Sequence, residues 1–154
     1  MGYRMISKYF SMAECVRSTT AWKLGIMNIP PDEIWPRIGL LMEKVMDPIR
    51  EHFGVPITPN SVYRSRAVNA AVQGSATSQH MTGEACDFTV PGKTVRQVMR
   101  AILDLGLPFD QMIDEYGSWV HVSYTERRAN RGEILEYRRV KGRVQKRYLK
   151  REDV

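Results

Sequence analysis

The chain has 154 residues, 43% of them hydrophobic and 26% charged, which suits one domain and excludes a disordered tail or a repeat array. Lys and Arg number 23 against 17 Asp and Glu, a net charge of +6, and no apolar run approaches the ~18 residues that cross a bilayer, so no membrane insertion is expected. The charge is uneven: residues 1–124 carry 12 basic and 12 acidic groups, while residues 125–154 carry 11 and 5.

The opening stretch to Phe10 lacks the apolar centre and cleavage site of a secretory leader, so the product is expected in the cytoplasm unless something else releases it. Ser11 followed three residues on by Glu14 is a capping box, and it predicts a short helix. Asn28-Ile29-Pro30-Pro31 breaks the chain. An amphipathic helix is expected from about Asp32 to Phe53, with Pro36 tolerated in its first turns, Pro48 kinking it and Gly54 ending it. Ile57 to Tyr63 reads as a strand, Ser65 to Val72 as a helix, and Gly74 to Thr82 as a loop.

Glu84 to Val90 alternates as a strand, with Ala85, Asp87 and Thr89 opposite Cys86, Phe88 and Val90. A second capping box, Thr94 with Gln97, opens a helix that Gly106 should close. Gln111–Tyr116 and Trp119–Tyr124 form two short strands around Gly117-Ser118. Ile134–Val140 and Arg143–Leu149 flank a turn at Lys141-Gly142. Helices first and strands later predict a compact α+β domain over residues 1–154. N-terminal helices should pack on a small, mostly antiparallel sheet, with a core at 6–124 and a basic β-hairpin at about 134–149. Cys15 and Cys86, 71 positions apart, are expected to be buried free thiols rather than a disulfide.

Only three histidines occur. His52, at a helix end beside Glu51, suits the surface. His80 stands in a polar loop seven residues before Asp87, and His121 alternates with Trp119 and Ser123 in its strand. If the two strands are neighbours, His80, Asp87 and His121 converge on one metal. Two imidazoles and a carboxylate suit Zn²⁺ and leave a fourth position open, as a catalytic site needs. Asp114 and Glu115 both lie close enough in sequence to serve as general base, and the unknown turn length leaves the choice open. Arg64, in Tyr63-Arg64-Ser65-Arg66, is placed to meet a terminal carboxylate or a developing oxyanion, whereas Arg66 is expected in solvent.

The runs Val62-Tyr63-Arg64-Ser65, Ser78-x-His80-x-x-Gly83-x-Ala85-x-Asp87-Phe88 and Trp119-Val120-His121-Val122-Ser123 resemble the zinc D-Ala-D-Ala carboxypeptidase family. That family includes phage endolysin peptidases, and its fold resembles the hedgehog signalling domain. The likeness covers roughly residues 6 to 124, and Phe10, Asn28-Ile29-Pro30 and Asp47-Pro48-Ile49-Arg50 are similar to the phage and prophage branch. It implies one zinc ion on His80, Asp87 and His121, Arg64 as the carboxylate or oxyanion contact, and Ser78 near the substrate. Many relatives carry the catalytic acid three residues before the last histidine, where this chain has Ser118. The branch with Gln-x-Ile-x-Glu matches through Gln111, Ile113 and Glu115, which implies Glu115 as base and Asp114 as reserve.

The implied substrate is a peptidoglycan stem or cross-link peptide, cut by a monomeric enzyme. The basic C-terminal segment is expected to aid encounter with anionic cell-wall polymers while remaining dispensable to the mechanism. An endolysin of this kind would act on the wall after release by a separate partner. Two other classes stand beside it: a non-catalytic zinc-stabilised binding module of hedgehog-like fold, and a basic nucleic-acid-associated protein. The second has only its charge in favour, since no nucleic-acid-binding motif is present.

Overall fold

The computed structural model describes residues 4–154. Helix α1 (Met12–Val16) starts at the Ser11–Glu14 capping box, with Ser11 Oγ accepting from Glu14 N at 3.2 Å and Glu14 Oε2 accepting from Ser11 N at 2.8 Å. Helix α2 (Thr19–Leu24) is capped by Ser18. The region from Asp32 to Phe53 is helical throughout, as expected, but it changes pitch. A 3₁₀ turn (Asp32–Ile34) leads into α3 (Trp35–Leu41), a π-helical stretch (Met42–Met46) and α4 (Asp47–Phe53). Pro48 has no N–H to give, and just before it the backbone widens, with Asp47 N bonding to Met42 O five residues back. Gly54, at φ 67°, closes the run.

Ile57–Tyr63 is not a strand. Pro59 removes a ladder donor, and the neighbouring backbone groups bond to two separate elements, α1 and the strand that holds Asp87. Asn60 N bonds to Asp87 O, Asp87 N to Ser61 O, and Tyr63 N to Cys15 O. A single bridge, Ser61 to Asp87, is all that remains of the expected pairing. Helix α5 (Arg66–Ala71) follows, capped by Ser65, and α6 (Val95–Asp104) begins at the Thr94–Gln97 capping box.

The sheet comprises β1 (Ala85–Phe88), β2 (Gln111–Glu115), β3 (Trp119–Ser123), β4 (Glu133–Val140) and β5 (Arg143–Tyr148), in the order β1-β3-β2-β4-β5. Every pairing is antiparallel except β2 with β4. The fold is therefore α+β with a mixed sheet. The C-terminal hairpin is no appendage, because β4 lies against β2 and completes the sheet. Ile134 and Leu149 join the core that Phe88, Met112, Val120 and Val122 form with Ile38, Met42, Met99 and Ile102. Cys15 and Cys86 are both buried and free. Among the described residues no helix is long and apolar enough to cross a membrane.

Register assigns the two faces of the sheet. Asp87 pairs with His121, His121 with Ile113, and Ile113 with Leu135. Two residues along, Trp119 pairs with Glu115, Glu115 with Tyr137, and Tyr137 with Lys146. Residues two apart in a strand share a face, so both rows lie on the side away from the Met112–Val120–Val122 core.

Candidate metal centre and cleft

His80, Asp87 and His121 meet at the end of the first row, each of them buried, with one ligand atom from each lying within 4.8 Å of the other two. The imidazoles face each other edge to face at 5.1 Å. His80 comes from the turn region before β1. Its Nδ1 lies 2.7 Å from Val62 O, an acceptor only, so Nδ1 carries the hydrogen and Nε2 the lone pair. That Nε2 is buried with no hydrogen-bond partner, although Asp87 Oδ2 is 3.1 Å away. An orphaned basic nitrogen beside a carboxylate is what a metal would satisfy, and two nitrogens with one oxygen suit zinc. His121 presents Nδ1 to Asp87 Oδ1 at 2.8 Å.

The ligand loop is seated by packing as well as by hydrogen bonds. Ser78 Oγ accepts from His80 N at 3.2 Å, and His80 O accepts from Arg64 N at 3.1 Å. Gly83 adopts φ 74° hard against the helical run. A Cβ there would stand 2.6 Å from Ile34 Cγ2 and 2.8 Å from Ile38 Cγ1. The His-x-x-Gly spacing is thus a steric requirement: three residues after the ligand, the loop must pass where no side chain fits.

Glu115 and Asp114 separate by strand parity. Glu115 shares the face of His121, with Oε1 3.9 Å from His121 Nδ1. Burial raises its pKa, and the neighbouring Asp87 charge raises it further. Asp114 points to the other face, where Arg138 donates to both its oxygens at 3.0 Å and Arg96 Nε donates at 2.8 Å. Gly117 N also donates to it, so this carboxylate closes the β2–β3 turn and is not brought to the cluster.

Arg64 is brought there. Its Nη2 lies 3.2 Å from Asp87 Oδ2, while Nε donates to Ser61 Oγ at 3.2 Å. The Asp87 carboxyl lies well below the usual range: burial opposes ionisation, but the charges and hydrogen bonds of His80 and His121 outweigh it. His80 is pushed down by burial. In His121 the same burial is overcome by the Asp87 hydrogen bond and charge, and its pKa rises.

These groups open onto a cleft of about 1110 Å³ that Arg64, Ser78, His80, Asp87, Glu115 and His121 all line. Trp119 is part of its wall, whereas His52 is exposed elsewhere and Arg66 is in solvent. Two supports went unread in the sequence. Asn28 donates to Val16 O and Tyr63 O and accepts from Ser65 N at 2.7 Å, bracketing Arg64. Asp110, fully buried, accepts from Arg128, Arg131 and Gln79, pinning the crossover into β4 to the residue before His80. A single Asn ahead of two prolines, and one Asp before a strand, carry no local pattern that announces these contacts. Tyr137, Arg139 and Lys146 of the hairpin also line the cleft, so the basic segment forms one of its walls.

A family model described as peptidase M15 matches residues 8–123, three quarters of the chain, including all three candidate ligands. No curated protein matches the chain.

Proposed function

Because the chain belongs to the peptidase M15 family, we propose that it is a zinc-dependent hydrolase of peptidoglycan stem or cross-link peptides. The observation that carries this reading is the convergence of Glu115 on the face that holds His80, Asp87 and His121. A half-buried carboxylate beside the candidate ligands is what hydrolysis needs, whereas a module merely stabilised by metal does not require it.

His80 Nε2, His121 Nδ1 and an Asp87 oxygen would hold the ion. A zinc ion in that setting supplies Lewis acidity, which makes water acidic near neutral pH and polarises a carbonyl. Glu115 takes a proton from the attacking water as its oxygen bonds to the scissile carbon. As the C–N bond breaks, Glu115 returns that proton to the leaving amine. Burial raises its pKa, which suits the first transfer, because a more basic carboxylate is the stronger proton acceptor. Arg64 offers a fixed guanidinium to the oxyanion or to a terminal carboxylate, and Ser78 borders the same cleft.

The likeness of Phe10, Asn28-Ile29-Pro30 and Asp47-Pro48-Ile49-Arg50 to the phage and prophage branch favours a lysin that acts on the wall after release by a separate partner. The outward basic side chains of the last 30 residues raise its encounter rate with anionic wall polymers.

Purified peptidoglycan incubated with the protein, with and without a chelator, tests the reading by mass analysis of the released peptides. We expect chelator-sensitive products, and turnover falling about 10²- to 10⁴-fold in Glu115→Gln, the usual contribution of a general base. Absence of a metal-dependent product, with wild type and Glu115→Gln indistinguishable, would leave the binding-module alternative.

A further inference from the structure

The sheet sorts the cations of the hairpin by face. On the side that carries Asp114, Arg138 pairs with Asp114 and Glu136, and Arg147 pairs with Glu136. At the cleft mouth, Arg128 and Arg131 are both tied to Asp110. Arg139 and Lys146, on the cleft side, have no carboxylate within salt-bridge reach among the described residues. They are not loose, however. Lys146 Nζ stands 4.9 Å from the centre of the Tyr137 ring, and the Arg139 guanidinium stands 5.2 Å from that of Tyr116. Tyr116 in turn packs against Trp119 at 5.8 Å and Tyr137 at 6.4 Å. Three aromatic rings thus floor this end of the cleft, and two uncompensated cations rest on them.

We propose that Arg139 and Lys146 form an anion subsite that binds a carboxylate of the peptide substrate at the hairpin end of the cleft. The inference rests on the peptidase reading and adds a substrate feature to it, an acidic group set back from the scissile bond. Lys146 lies in the same cross-strand row as Glu115, two strands away through Tyr137. Strands are ~4.8 Å apart, so the offset is about 10 Å, the length of about three extended residues. Both cations lie beyond the matched residues 8–123, in a part of the chain whose role the family assignment leaves open.

The test is a titration of the full chain with the pentapeptide L-Ala-γ-D-Glu-L-Lys-D-Ala-D-Ala. Two analogues complete the set, one amidated at the free glutamate carboxylate and one at the C-terminus. Variants Lys146→Met and Arg139→Gln keep most of each side chain, and both sites are exposed, so thermal melting should be unchanged. We expect Kd for the free acid to rise about threefold in each single variant and about tenfold in the double variant, the range of partly exposed ion pairs. One of the amidations should weaken wild-type binding to a similar degree and have no further effect on the double variant.

Equal weakening for the acid and both amides overturns the proposal, as does no weakening at all. A double variant that loses only poly(glycerol phosphate) binding also overturns it, in favour of a wall-polymer contact. Turnover of the same peptides separates this inference from its premise. Coupling in Kd without hydrolysis keeps the subsite and removes the peptidase reading, whereas hydrolysis with Kd indifferent to the variants does the reverse.

Discussion

Asp114 and Glu115 are neighbours in β2, and pleating sends them to opposite faces of the sheet. Glu115 meets the metal cluster, and Asp114 is locked between Arg96 and Arg138. Substituting each one should therefore affect different measurements. Asp114→Asn should lower unfolding free energy by about 2 kcal/mol, the scale of lost hydrogen bonds to a charged group, with kcat within a few-fold of wild type. Glu115→Gln should leave urea midpoints nearly unchanged. Loss of turnover in Asp114→Asn with retention in Glu115→Gln would make Asp114 the base. A pH series sharpens the contrast. Asp114 titrates below its ordinary value because, although burial opposes ionisation, Arg138 and Arg96 hold it charged. A depressed carboxylate contributes stability that is complete above its unfolded pKa of about 4 and disappears as pH falls through the folded one. The gap in urea midpoint between wild type and Asp114→Asn should thus be constant from pH 7 to 5 and shrink below about pH 4. The sequence marked the three candidate ligands because two are strand residues facing away from their apolar neighbours and the third stands in a polar loop. It left the base open because parity relates residues within a strand, while the three-residue turn Tyr116–Ser118 determines the relation between strands.

At the scale of elements, the loop carrying His80 depends on the helix beneath it. Gly83 lets the backbone pass against Ile34 and Ile38, so a methyl group there must displace the loop or the helix. Gly83→Ala should cost at least about 2 kcal/mol, from positive-φ strain and overpacking together, and should weaken zinc uptake in a competitive chelator titration. Full metal affinity in a stable Gly83→Ala protein would show that the loop is not held from below. The helices were legible because capping residues and apolar spacing are local signals, and both capping boxes form as read. The misread segment, Ile57–Tyr63, has the composition of a strand, but its hydrogen bonds go to β1, to Cys15 and through Arg64 to the His80 loop. Composition reports a preference for extended backbone and is silent on whether a partner strand exists. Asp110 makes the same point for side chains, since its partners lie up to 31 positions away.

For the molecule as a whole, the basic C-terminus changes most between sequence and structure. Expected to be dispensable to the mechanism, it supplies the strand that covers β2 and buries Ile134, Leu135 and Leu149. Each such side chain contributes about 1.5–3 kcal/mol when buried. Removing residues 134–154 should therefore abolish cooperative unfolding rather than merely weaken wall binding, which circular dichroism during heating would check. A sharp melt near the wild-type temperature would show that the rest of the chain folds without the hairpin. The Lys141-Gly142 turn joins its two strands at the sheet's outer edge, where β5 has a neighbour on one side only. If one residue were inserted in that turn and pairing re-formed one position along, β5 would rotate by half a pleat. Val144 and Lys146 would leave the cleft face and Arg143, Gln145 and Arg147 would take it, with the candidate metal ligands and Glu115 untouched. The outermost strand can thus change its electrostatic character by a shift in phase, with no substitution, which makes turn length a means of retuning substrate preference independently of catalysis.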